Sequence, residues 1–276
     1  MKDQPAFASW RSYWDFAREV THQRRYLISD TSRAFLDELV RTAEKRQSRL
    51  PAGHRLCRAQ VAHAECDDPY AGPLPRPAEP KRMIPRPYLA SDGRANPRGI
   101  PCLYMADDRH TAIAEVRPWI GSLVSVAIMR VLEDQRMVDV RDDSGRMPIY
   151  LDEEPEADLR ETAVWGHVGR AYREPVLRED DRAGYAPTQI IAEAFRARGY
   201  DGIVYGSAFG DDGTNIVLFN TSAAELESCE LHEVRNVKLV HEEAESPYFV
   251  RRDCSGDPVL VRNVIEEIAP IDPRHL

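Results

Sequence analysis

The sequence predicts an α+β fold preceded by a helical extension, and three observations carry that expectation. Apolar residues recur at helical spacing through the first fifty positions. A strand–helix–strand rhythm runs through residues 100–219, and the 276 residues are enough to bury a sizeable core. A composition of 42% hydrophobic and 30% charged residues describes a soluble globular chain.

The elements follow in order. Trp10, Tyr13, Trp14 and Ala17 share one helical face, as do Phe35, Leu36, Leu39 and Val40, so residues 9–49 read as helix. Ser29, Asp30, Thr31 and Ser32 mark a break, with a cap for the second helix. The aromatic face of the first helix reads as core, or as a contact between copies in a homo-oligomer. A strand is expected over 55–62. Seven of the twenty prolines fall between positions 69 and 87, which predicts an extended loop without regular structure. Its place directly before Arg94 suggests that this loop covers a site.

Residues 100–104 read as a short strand, and Asp107 as the cap of a helix that Pro118 ends. Residues 123–131, rich in Val and Ile, form the longest strand-like run. The acidic stretch at 152–158 reads as a surface loop or a helix start. Pro187 and Thr188 open a helix that Gly199 stops, and strands at 202–205 and 215–219 flank a glycine-rich loop. The tail beyond Leu231 is expected to add a strand and a helix. These elements suggest a helical extension over 1–50, a main domain over 51–230 and a C-terminal extension over 231–276 that packs on the core.

Composition narrows the partners. No run approaches the ~20 apolar residues of a membrane span, and Met1-Lys2-Asp3-Gln4-Pro5 has no secretory pattern, so a cytoplasmic protein is expected. A net charge of -9 argues against direct binding of nucleic acid. It leaves room for a small anion, because a few local arginines can hold a pyrophosphate inside an acidic protein. The five cysteines are odd in number and contain no CxxC pair, so they read as reduced packing thiols. The histidines show no metal-ligand spacing.

Two motifs carry chemistry. Gly93-Arg94-Ala95-Asn96-Pro97 leads through Leu103-Tyr104-Met105-Ala106 to Ala114-Glu115, setting an arginine, a tyrosine and a glutamate ten and eleven residues apart. Far downstream, Tyr205-Gly206-Ser207 opens a loop that closes on Asn215. Cleaving the bond between nicotinamide and ribose needs residues of these kinds. A carboxylate stabilises an oxocarbenium-like transition state, a guanidinium pairs with pyrophosphate, and a flat side chain stacks on the departing ring.

Together the motifs resemble the RES domain, a family found as the toxin of RES–Xre toxin–antitoxin pairs. Leu56-Cys57-Arg58-Ala59, Tyr185-x-Pro187-Thr188-Gln189, Tyr200-Asp201-Gly202-Ile203-Val204-Tyr205-x-Ser207 and Asn215-Ile216-Val217-Leu218-Phe219 extend the likeness across roughly 56–220. The resemblance implies an ADP-ribosyltransferase-like core of mixed and antiparallel strands. It also implies NAD as a substrate destroyed by hydrolysis or phosphorolysis, with phosphate as co-substrate in the second case, no separate cofactor, and an Xre-type antitoxin as partner.

Carried over by position, Arg58 and Arg94 would bind phosphates and Tyr104 would stack on nicotinamide. Glu115 would stabilise the ribosyl cation, Ser207 would hold the nicotinamide end, and Asn215 would support the loop. Ala95 departs from the aromatic usual after the motif arginine. The same site could instead transfer ADP-ribose to a macromolecule, or bind a nucleotide without turnover.

Overall fold

The computed structural model describes residues 7–141, 153–175, 182–209 and 213–241, with the backbone of 248–252 and 258–262. The chain divides into two compact units, Met1–Arg235 and Asn236–Leu276. In the second, β11 (Tyr248–Arg252) and β12 (Pro258–Arg262) form an antiparallel hairpin. The helix expected in the tail and Cys254 lie outside the described residues. Among those residues no helix is long and apolar enough to cross a membrane.

The first unit opens with α1 (Ser12–His22) and α2 (Asp30–Thr42). Ser29 caps α2 by accepting a hydrogen bond from the Ser32 amide. The buried Glu19 of α1 ties the two helices together. It accepts from the Ser29 amide (2.7 Å), the hydroxyls of Ser29 and Ser32 (2.6 Å each) and the Arg24 guanidinium (2.8 Å). The serine hydroxyls contribute most, and together these bonds hold the carboxylate down at about 2, from an ordinary 4.5.

A carboxylate depressed in the folded state stabilises above its unfolded pKa and stops doing so as pH falls through its folded one. Glu19→Gln is therefore expected to lower stability at pH 7 by about 1–3 kcal/mol. Melting curves of the two proteins should converge between pH 4.5 and about 2; a gap that stays constant through this window would show that the charge is irrelevant.

Eight strands form one sheet in the order β1-β7-β8-β9-β5-β2-β6-β10. They are β1 (Gln47–Leu50), β2 (Arg55–Gln60), β5 (Leu103–Ala106), β6 (Leu123–Val131), β7 (Gln135–Asp139), β8 (Gly202–Gly206), β9 (Thr214–Leu218) and β10 (Ala224–Glu233). The β7–β8 pair is parallel, and its crossover carries α5 (Ala157–Arg173) and α6 (Ala186–Ala197); the other pairs are antiparallel. The fold is thus α+β with a mixed sheet and a helical N-terminus.

Period-two alternation divides the core. Ile203, Tyr205 and Val217 face a layer built from α1, α2, α5 and α6, in which Phe16, Phe35, Trp165, Tyr172 and Phe195 are buried. Leu103, Met105, Ile216 and Leu218 face the other way, with Leu56, Met129 and Met137. The smaller set Cys57, Ala59, Ala106 and Ala112 seats α4 (Arg109–Glu115). The sheet is thinnest at one junction. β2 pairs with β5 through a single register pair, Cys57 opposite Ala106, and the strands then part.

Several expectations are corrected. The helical reading of 9–49 overruns, since α2 ends at Thr42 and a 3₁₀ turn (Ala43–Arg46) leads into β1, a polar edge strand with only Leu50 buried. The proline-rich segment is structured: β3 (Ala64–Asp68) and β4 (Gly72–Arg76) form a ribbon, followed by the short α3 (Pro80–Met83). Pro73 and Pro75 sit two apart in β4, so their missing N–H groups lie on one side, off the ladder. β5 begins after Pro101 and not at Ile100. The cap of α4 is Asp108, which accepts from the Thr111 amide at 2.9 Å, while Asp107 accepts from the Thr214 amide. α4 stops at Glu115; Arg117, which precedes Pro118, takes a left-handed φ of 47°.

Candidate functional site

Where β2 and β5 part, a cavity of about 850 Å³ opens. Its wall includes β2, β5, the loop 88–98, the C-terminal end of α4, and Tyr185, Tyr205 and Asn215. Four arginines line it (Arg58, Arg94, Arg98 and Arg117) against two carboxylates, Asp92 and Glu115. In an acidic chain this is a local excess of positive charge, suited to an anionic ligand.

Glu115 sits at the end of α4, half-buried. Its Oε1 accepts from the Ser207 hydroxyl at 2.8 Å and from Asn215 Nδ2 at 2.5 Å. Oε2 receives no hydrogen bond from the described residues. The carboxylate is therefore fixed on one oxygen and left open on the other. Asn215 is set by β9, opposite Ala106 on one side and Tyr205 on the other. Burial, and then the Glu115 charge, push the Tyr205 phenol up, so it stays neutral at physiological pH.

Ser207 is buried and does not line the cavity; it stands behind Glu115. Three bonds hold it. Its amide donates to the Gly213 carbonyl (2.7 Å), its hydroxyl accepts from the Phe209 amide (3.0 Å), and its carbonyl accepts from Arg173 Nε at the end of α5 (2.9 Å). Gly213 must be small, because a Cβ there would come within 2.6 Å of the Thr111 hydroxyl. The structure thus sets Ser207 against Glu115 and off the cavity wall.

Tyr104 is half-buried and lines the cavity. Its hydroxyl donates to Asn96 Oδ1 (2.7 Å) and accepts from the Ala95 amide (2.9 Å). Asn96 in turn donates from Nδ2 to the carbonyls of Ser91, Pro97 and Ile100, which makes this buried side chain the hub of the loop. Gly93 is required by contact: a Cβ there would lie 2.5 Å from the Tyr104 oxygen.

The two predicted arginines are both partly engaged. Arg58 donates from Nε to the Met83 carbonyl (2.8 Å) and from Nη1 to the Tyr104 carbonyl (2.7 Å). Burial pushes its pKa down to about 10, which leaves it charged at neutral pH. Arg94 donates from Nη1 to the Ala171 carbonyl (2.9 Å) and from Nη2 to the Glu174 carbonyl, at the C-terminal end of α5. Neither arginine forms an ion pair with a described residue, and each keeps donors in reserve.

The structure therefore brings Arg58, Arg94, Tyr104, Glu115 and Asn215 onto one wall, with Ser207 just behind it. The sequence reading misses Arg98 and Arg117 as cavity residues, Asn96 as the hub, and Arg173. Arg98 lies one residue beyond Asn96-Pro97, so the motif itself could have flagged it. Residues 69–87 do not line the cavity; the neighbouring 88–92 do.

A mixed α+β sheet thus opens at the β5–β2 junction into an arginine-lined cavity around a hydrogen-bonded carboxylate. The RES domain family model matches residues 55–240, and the chain belongs to that family. None of the curated proteins matches the chain. Among solved structures, a chain from the crystal structure of the M. tuberculosis MbcT-MbcA toxin–antitoxin complex is similar. It has 16% sequence identity and a TM-score of 0.38, over 72% of this chain and 94% of that one.

Proposed function

We propose that this protein destroys NAD by cleaving the bond between nicotinamide and ribose, and that it is the toxin of a toxin–antitoxin pair with an Xre-type antitoxin as partner. The observation that carries the reading is the Glu115 carboxylate, clamped on Oε1 by Ser207 and Asn215 and open on Oε2, on the wall of a cavity lined by four arginines. The reading further places the core among the ADP-ribosyltransferase-like folds.

The chemistry follows from these groups. The leaving group is a cationic ring that departs neutral, so no strong acid is needed. Positive charge builds on the ribose, and Glu115 offsets it while Oε2 accepts from a ribose hydroxyl. The free donors of Arg58 and Arg94 hold the pyrophosphate. Tyr104 offers a ring face, and the neutral Tyr205 lines the wall beside Asn215 without adding charge. Water or phosphate then takes the ribosyl cation.

The test is incubation of purified protein with NAD, with and without phosphate, and mass spectrometry of the products. Free nicotinamide with ADP-ribose identifies a hydrolase, and ADP-ribose-1″-phosphate identifies a phosphorylase. ADP-ribose found on a macromolecule would reassign the acceptor. Folded protein that releases no nicotinamide would sink the reading.

A further inference from the structure

The loop before the motif arginine carries a feature that the chemistry at Glu115 does not use. Tyr88 is 90% exposed and Leu89 is 68% exposed, and both line the cavity. Among the described residues they are the only exposed large apolar side chains that do so. Tyr88 also takes φ 67°, a left-handed conformation that a bulky non-glycine residue rarely holds. The loop behind the pair is braced: the Gly99 amide donates to the Ala90 carbonyl and the Arg98 amide to Asp92 Oδ1, each at 2.9 Å. A fixed loop thus presents an aromatic and an aliphatic side chain to water at the rim of a cationic cavity.

A dinucleotide has two rings joined through its pyrophosphate. The reacting half is tied to Glu115, so the other half ends in a purine that still needs an apolar face. Base–aromatic stacking supplies such a face and tolerates an exposed position. We infer that Tyr88 and Leu89 form the adenine subsite, with Arg98 on the same loop beside the phosphates. The inference rests on the reading of the cavity as an NAD site and deepens it.

Calorimetric titration with two probes tests it. ADP-ribose carries the adenine; nicotinamide mononucleotide does not. Tyr88→Ala should weaken ADP-ribose binding between about fivefold and about a hundredfold. It should leave the mononucleotide unchanged, and Tyr88→Phe should restore affinity. In turnover, the variant should raise KM for NAD and spare kcat. Unchanged ADP-ribose affinity in Tyr88→Ala, or equal weakening of both probes, overturns the adenine subsite while leaving NAD cleavage standing. A wild-type protein that binds neither probe and releases no nicotinamide overturns the underlying reading as well.

Discussion

Glu115→Gln is expected to lower kcat for NAD cleavage by about a hundredfold to a thousandfold, the scale of losing one electrostatic contact to a transition state. The substitution isolates charge from geometry. An amide oxygen in place of Oε1 can still accept from Ser207 and Asn215, so the side chain keeps its anchor points. What disappears is the negative charge that the proposed mechanism sets beside the developing ribosyl cation. KM for NAD should change little and the melting temperature should stay near that of the parent. Nicotinamide release followed at saturating NAD decides it; a variant that turns over at the parental rate would remove Glu115 from the chemistry. Ser207→Ala should fall between the two, because Asn215 alone would then hold the carboxylate.

Gly202→Ala carries the largest expected loss of stability. Gly202 lies within the sheet, paired with Met137 on one side and Leu218 on the other. An added Cβ would run into the Val217 carbonyl oxygen and lie 2.6 Å from Met137 Cε. A methionine end can move, but a ladder carbonyl cannot move without breaking the sheet. Overpacking at such a place costs about 3 kcal/mol or more, which for a unit of this size is a fall of roughly 6–12 °C in Tm. Gly206→Ala on the same strand is the control. Its Cβ would meet only Arg173 Cδ, at an ordinary 3.7 Å, so calorimetry should find it near neutral. Equal effects at the two positions would refute the argument from contact.

Both substitutions fall where the sequence is legible. The buried strands β6, β8 and β9 are mostly apolar, readable because burial on both faces leaves little room for polar residues. Edge strands are not. Gln47-Ser48-Arg49-Leu50 in β1 and the alternating charges of β10 look like surface because most of their side chains are surface. Only the start of helix α5 is read, as one of two alternatives for its acidic stretch, and its length is not, although Val164, Trp165, Val168 and Tyr172 line its buried side.

The unread end of this helix matters at the site. Without α5 there is no helix end to receive Arg94, so its bonds to the Ala171 and Glu174 carbonyls cannot be foreseen, nor can the reach of Arg173 to Ser207. Glu115 is legible because its helix is local, although the cap is Asp108 and not the Asp107 beside it. Its two partners come from about a hundred residues away, and only the motif hints at them.

A single ladder pair, Cys57 opposite Ala106, joins β2 to β5, and the Arg58 guanidinium adds a further link by holding the Tyr104 carbonyl. The eight strands thus fall into a five-stranded and a three-stranded part that meet at this narrow junction, and the cavity opens beside it. A ligand that grips Arg58 on one lip and Asn215 or Tyr104 on the other becomes a rivet between the two parts. Occupancy and cohesion are then a single quantity: a filled site slows the parting of the sheet, and amide exchange along β2 and β5 is where that slowing would be read.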